Sequence, residues 1–308
     1  MSLNAPVVVG VDGSPNSLAA VDLAVRQAAV RHRPLRVVHA FIWPYFTVAL
    51  GPSADGPPDG GLRHQAERFV DEAVARARAA AADVPVTGEV ITGSPAAVLL
   101  HCARTAALVV IGDRGLGGVG SLLIGSVGVQ LAHHAACPVL VARGDVDTSR
   151  PVVVGVDGSP ANTAAIEYAF EAASLLGVPL VALHAWSQPV STGPGDMLPL
   201  VYDPAQLAAE EDVVLALALA GWQERYPDVV VHRDLVHLRP RTALIEASRT
   251  AQLVVVGARG LGGFTGLLLG SVSQAVLHHA ACPVAVVRKP CGAAASPAPA
   301  GQSAGGVS

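Results

Sequence analysis

Two stretches of the 308-residue chain place glycine, arginine and serine at a spacing suited to holding an anion. Gly112-Asp113-Arg114-Gly115 is followed, after nine residues, by Gly125-Ser126; Gly257-Ala258-Arg259-Gly260 is followed, after nine residues, by Gly270-Ser271. Glycine tolerates positive φ and lets a ligand oxygen approach backbone N–H groups with no Cβ in the way. A helix starting at Ser126 or Ser271 adds unbonded N–H groups and the positive end of its dipole, and the hydroxyl adds one more hydrogen bond. The plainer reading is that the glycines make tight turns and the serines cap helices. Retention of both glycine pairs and of the Gly-Ser step in two otherwise divergent stretches favours phosphate.

Other chemistries fit less well. Gly115 to Gly120 satisfies GxGxxG, but Thr265 breaks the pattern in the second stretch and no acidic residue between Arg114 and Gly144 can hold a ribose in the dinucleotide manner. Phosphoryl transfer through a P-loop needs a lysine, and Lys289 is the chain's single one. Asp113 could hold a metal, yet its counterpart is Ala258. Arg114 and Arg259 are retained and could neutralise phosphate; a solvated loop charge is the alternative. Adjacent histidines, His133-His134 and His278-His279, diverge by about 100° on a helix and share one ion poorly. They read as helix-end residues favoured by the dipole.

The elements that position these loops come from a repeat. "PVVVGVDGSPNS" from Pro6 returns as "PVVVGVDGSPAN" from Pro151, and the same 145-residue displacement relates the two glycine loops and the two "HHAACPV" segments. Within the first copy, apolar runs at Val7–Val11, Leu35–Ala40, Val86–Thr92, Leu108–Ile111 and Pro138–Ala142 alternate with alanine-rich stretches of helical length. That pattern predicts α/β architecture: two tandem doubly wound, Rossmann-like domains, each with a five-stranded mostly parallel sheet. Helices are expected from Ser14-Pro15 and Ser159-Pro160, after Ser94-Pro95, and near Ser126. The domains are expected at 1–143 and 151–290, packed together across a linker at 144–150, with a disordered tail at 291–308. Proline- and glycine-rich segments at Trp43 to Gly61 and Ser187 to Asp203 read as long surface loops.

A formal charge of −4 argues against a nucleic-acid partner, which would need basic excess. No apolar run approaches the roughly 20 residues that span a bilayer, so no membrane partner is expected. Four cysteines without a CxxC pair suit a reducing cytoplasm, with Cys137 and Cys282 buried and inert. Val213 to Trp222 is apolar on every side, whereas the aligned Arg68 to Ala77 is charged. Such a helix is expected to be covered by the chain's own loop or by a second copy, which makes a homodimer the expected assembly.

The pattern Gly-x2-Gly-x9-Gly-Ser, preceded by a first strand ending in Val-Asp and followed by a Cys-Pro-Val strand, resembles the universal stress protein family in its tandem-domain form. The resemblance covers residues 6–142 and 151–287. It implies an ATP-binding regulatory protein of the stress response with one adenine-nucleotide site per domain, with or without Mg2+. A slow ATP hydrolase and an interaction module with vestigial pockets are the alternatives. Carried over by position, it places Gly10 and Asp12 at the nucleoside, Ala40 at the adenine edge, Gly112 by the ribose, and Gly115, Gly125, Ser126 and Val127 around the phosphates. The same roles fall on Gly155, Asp157, Ala185, Gly257, Gly260, Gly270, Ser271 and Val272. Gly117, Gly118, Gly262 and Gly263 belong to the same binding loops, with Arg114 and Arg259. Where the family often has Gly-x-Pro, as in Gly93-Ser94-Pro95, the second copy has Leu238-Arg239-Pro240-Arg241, so unequal affinities are expected.

Overall fold

A computed structural model describes residues 5–42, 60–115, 125–144, 146–187, 203–261 and 269–288. The first half runs β1 (Val7–Gly10), α1 (Pro15–Val30), β2 (Leu35–Phe41), α2 (Gly60–Ala80), β3 (Val86–Thr92), α3 (Pro95–Cys102), β4 (Leu108–Gly112), α4 (Ser126–His134) and β5 (Val139–Ala142). The second runs β6 (Val152–Val156), α5 (Thr163–Leu176), β7 (Leu180–Ala185), α6 (Pro204–Leu219), α7 (Trp222–Arg225), β8 (Val231–Val236), α8 (Pro240–Ala247), β9 (Leu253–Gly257), α9 (Ser271–His279) and β10 (Val284–Val287).

Each half orders its strands 3-2-1-4-5, all parallel, as the repeat requires. The central strands are apolar on both faces because helices cover both. Val7 and Val9 enter one core cluster with α1, α2, α5 and α6, while Val8 points into the other with α3, α4, α8 and α9. Each cluster contains residues of both halves.

The two sheets are one. β5 and β10 pair antiparallel, joining the halves into a ten-stranded sheet of order β3-β2-β1-β4-β5-β10-β9-β6-β7-β8. The register sets Val141 against Val284, Leu140 against Ala285 and Val139 against Val286. These pairs exchange under the 145-residue displacement, so the seam has the self-complementary geometry of a two-fold interface within one chain. All eight residues of β5 and β10 are buried. Left unpaired, either strand would present an apolar edge prone to association.

Two local expectations need correction. α1 begins as expected, with Ser14 as N-cap accepting from the Ser17 N–H and Pro15 behind it. α5 begins at Thr163 instead, because Asn162 N–H bonds the Ser159 carbonyl at 3.0 Å and its amide Nδ2 bonds the Gly155 carbonyl at 3.0 Å. Those bonds fold Pro160 and Ala161 into a turn and leave Ser159 Oγ without the capping bond that Ser14 makes. The apolar run from Val213 is not one buried helix either. α6 stops at Leu219, and Gly221 at φ +79° turns the chain into α7. Leu215 and Leu219 are buried, while Val213 and Leu217 are 56% and 71% exposed among the described residues. The loops expected at 43–61 and 187–203 fall largely outside the described residues; Gly60 and Gly61 belong to α2 instead. The tail at 291–308 lies outside them too.

Candidate functional site

The glycine loops leave the carboxyl ends of β4 and β9 and return to them by the same bonds. In the first half, the Asp113 N–H donates to the Ala142 carbonyl at 3.1 Å and the Gly125 N–H donates to the Asp113 carbonyl at 2.9 Å. In the second, Ala258 N–H donates to Val287 and Gly270 N–H donates to Ala258, each at 2.8 Å. The nine-residue spacer therefore brings the second glycine back beside the first. Gly125 and Gly270 are the N-caps of α4 and α9, with φ −62° and −69°, and no side chain caps either helix. Ser126 and Ser271 thus sit at the first helical position rather than capping, and both are exposed. Helix geometry leaves the first-turn N–H groups at Ser126 and Val127, and at Ser271 and Val272, without intrahelical acceptors.

The remaining glycines have distinct steric reasons. A Cβ on Gly115 would strike Asp12 Oδ2, and one on Gly260 would strike Asp157 Oδ2. Each aspartate lies against the glycine loop from the end of its first strand, and its Oδ1 accepts within its own turn from Ser14 N–H at 3.0 Å or Ser159 N–H at 2.9 Å. Asp157 Oδ2 also accepts from Leu261 N–H at 3.2 Å. Gly10 and Gly155 admit Leu99 and Leu244, whose methyls would lie 2.8 and 3.0 Å from an added Cβ. Gly112 lies against the Asn16 backbone, and Gly257 against Arg259 and Asn162. Ala40 is half-buried at the end of β2 and packs on the α3 side of the sheet.

In the second half these pieces line one cavity of about 480 Å³. Gly155, Asp157 and Ala185 line it together with Gly257, Arg259, Gly260, Gly270, Ser271 and Val272. Leu244, Val256 and Leu269 supply an apolar wall, so the cavity has a greasy part and a polar part rich in backbone donors. Arg259 is exposed at its rim; Arg114 in the first half lies 3.7 Å from Asp113. Gly117, Gly118, Gly262 and Gly263 fall outside the described residues.

Several residues that shape the sites are not evident from the motif. Asn16 Nδ2 donates to Asp113 Oδ1 at 2.9 Å, with Arg143 3.9 Å from the same carboxylate. Asp113 is thereby a positioned anion rather than an open metal ligand. The second half has alanine at both positions, Ala161 and Ala258, so neither member of this pair is present there. There, Ser273 Oγ donates to the Gly257 carbonyl at 2.5 Å, a bond Gly128 cannot make. His184 lines the cavity with Nδ1 at 2.7 Å from the Val156 carbonyl and Nε2 at 2.7 Å from Glu211 Oε2. A carbonyl only accepts, so Nδ1 carries hydrogen and Nε2 faces the Glu211 carboxylate. His39 makes the equivalent bond to Val11 at 2.8 Å, but Ala66 stands where Glu211 would be.

The paired histidines end α4 and α9 as expected, but burial, the neighbouring histidine and an arginine push His133 and His278 down, so the charged form of these two is not favoured. Burial pushes the Cys137 and Cys282 thiols up to about 12. Among the described residues no group of three or more His, Cys, Asp or Glu could hold a metal ion, and no helix is long and apolar enough to cross a membrane.

The universal stress protein family matches residues 4–143 and 148–288. A universal stress protein of Mycobacterium tuberculosis is 42% identical over 308 residues, covering 93% of this chain and 96% of that protein. One from Mycolicibacterium smegmatis is 40% identical over 296 residues, covering 92% and 96%. Among solved structures, a universal stress protein from Archaeoglobus fulgidus superposes with a TM-score of 0.66 at 21% identity, covering 94% of this chain and 97% of that one. With the ten-stranded fold and the paired glycine loops already described, these matches settle the family: the chain belongs to the universal stress proteins and carries two of their domains in tandem.

Proposed function

We propose that this protein binds ATP at the carboxyl end of each half-sheet and acts as a nucleotide-dependent regulator of the stress response rather than as a catalyst. The observation that carries the reading is the repeated loop closure, Gly125 N–H to Asp113 and Gly270 N–H to Ala258. It presents an uncapped helix N-terminus beside the ends of the first and fourth strands. Such a terminus favours phosphate through its free N–H groups and dipole, and the strand ends flanking it form the crevice where open α/β sheets hold ligands. The 480 Å³ cavity falls in the range of small-molecule sites and divides into apolar and polar parts, as an adenosine and its phosphates require.

In this reading Gly260, Gly270, Ser271 and Val272 hold phosphate through backbone and hydroxyl donors, with Arg259 adding charge at the rim. Ala185 and the Leu244 wall meet the base. The first domain repeats the arrangement with Gly115, Gly125, Ser126 and Val127. Binding without rapid turnover is supported by the engagement of Asp113 with Asn16 and by its replacement with alanine in the second domain. Any Mg2+ would arrive with the phosphates rather than in a protein cage.

Denaturing freshly purified protein and separating the released small molecules, followed by calorimetric titration of stripped protein with ATP, tests the proposal. About two adenine nucleotides per chain is the expected result. No released nucleotide together with no heat on titration would refute it.

A further inference from the structure

The two domains diverge at the ends of their second and third strands, which in the second domain lie at the cavity. The first domain has Phe41, buried and in register with Thr92. The second has Trp186 and His237 at the corresponding positions. Trp186 directly follows Ala185, lines the cavity, and is held in line with the strands by its backbone N–H, which donates to the Val236 carbonyl at 3.0 Å. Its ring stacks on that of His237, with centroids 4.3 Å apart and planes inclined by 27°. His237 is exposed and Trp186 half-buried, so the imidazole backs the indole from the solvent side.

A two-ring side chain braced on one face differs from a core aromatic. Phe170, Trp222 and Tyr226 stack on one another inside the second domain and pack into its core. Trp186 instead lines the cavity, which Leu244 and Val256 line as well. An aromatic ring in the lining of a partly apolar cavity can grip a flat heterocycle, since stacking rewards the ring whatever its hydrogen-bonding edge.

We propose that Trp186, backed by His237, is the base-stacking residue of the second site, and that it makes this site discriminate between a purine nucleotide and a ring-less polyphosphate more strongly than the first site does. The inference rests on the nucleotide-binding reading above.

Its test uses the full-length chain carrying Gly125→Asp, which blocks the first site with a carboxylate at the α4 N-terminus. In that background, calorimetry compares ATP with inorganic tripolyphosphate for Trp186 and for Trp186→Ala and Trp186→Phe. Removing the ring is expected to weaken ATP binding by about 5- to 150-fold, the range of base–aromatic stacking, and to leave tripolyphosphate binding unchanged. Phenylalanine is expected to recover part of the loss, and thermal unfolding checks that each variant is folded. ATP should also quench tryptophan fluorescence in the Gly125→Asp protein, and Trp186→Phe should abolish the quench. Equal ATP affinity for Trp186 and Trp186→Ala overturns the inference while leaving the nucleotide reading intact, as does equal weakening of ATP and tripolyphosphate. Failure of the unsubstituted chain to bind ATP at either site overturns both.

Discussion

The two domains share a loop and the strand ends beside it, and differ at a few particular positions around them. Backbone bonds that close the loop are the same to within a few tenths of an ångström, from Asp113 to Gly125 and from Ala258 to Gly270. Side chains lining the surroundings are not: Asn16 and Asp113 against a pair of alanines, Ala66 against Glu211 beside His184, Phe41 and Thr92 against Trp186 and His237. Duplication has kept the part that would hold phosphate and released the part that would choose the base. Unequal affinities at the two sites are the expected consequence.

The largest effect is expected where the halves meet. Leu140 and Ala285 occupy the same position in each copy and face each other across the β5–β10 seam, both fully buried. Leu140→Ala should cost about 2–5 kcal/mol in denaturant unfolding, from lost transfer energy plus the cavity. Swapping the two, as Leu140→Ala with Ala285→Leu, conserves volume across the seam and should cost under about 1.5 kcal/mol. A swap as costly as the single change would mean that the seam is not symmetric in its packing.

Next in size is a pH effect both domains share. The Cys137 and Cys282 thiols are held up to about 12 by burial, against roughly 8.5 in an unfolded chain. The folded state therefore keeps protons that the unfolded state releases. Stability should be intact below pH of about 8.5 and fall above it, by about 1.4 kcal/mol per pH unit for each thiol while pH stays below the folded value. Urea unfolding between pH 8 and 10.5 reads this, and replacing either cysteine by alanine should remove one thiol's share of the slope. A slope unchanged by both replacements would contradict it.

A smaller coupling should separate the domains. In a double-mutant cycle, Asn16→Ala and Asp113→Ala should interact by about 0.5–1.5 kcal/mol, because their hydrogen bond is part-buried. The second domain, already Ala161 and Ala258, shows what the compensated pair looks like. The smallest effect belongs to the surface. Arg76 pairs with Asp22 through two 2.7 Å bonds, and Glu167, the counterpart of Asp22, pairs instead with Arg225 at 2.8 Å. All four side chains are substantially exposed. Breaking either pair should cost about 0.2–1 kcal/mol, and less at high salt.

The repeat and the alternation of strand and helix made the half-domain legible, down to β2, β3 and β4 within a residue at each end. The loop motif was legible because backbone chemistry needs glycine, and glycine is visible in a sequence. The seam was less so. Val-Leu-Val-Ala and Val-Ala-Val-Val read only as last strands, although a strand buried on both faces at the edge of a sheet must pair with something. The break in α6 was signalled by Gly221, which the apolar count of Val213 to Trp222 passed over. The late start of α5 was not readable: Ser159-Pro160 repeats Ser14-Pro15, and the difference lies in a tertiary bond from Asn162 to Gly155. The walls of the sites were hidden for the same reason, since Trp186 with His237 and Asn16 with Asp113 are partners only once the strands are laid side by side.

Gly125 and Gly270 offer the most direct test of the account. Both have helical-cap φ values open to any residue, with no atom nearer than 3.8 and 3.6 Å to an added Cβ. Aspartate is a favoured N-cap, so Gly125→Asp and Gly270→Asp should change stability by no more than a few tenths of a kcal/mol. Each places a carboxylate on the N–H groups that would receive phosphate. Calorimetric titration with ATP should count two sites in the unsubstituted chain, one in each single variant and none in the double variant, with all four proteins equally folded. Two sites persisting in the double variant would show that the Gly-Ser steps at the starts of α4 and α9 do not seat the phosphates.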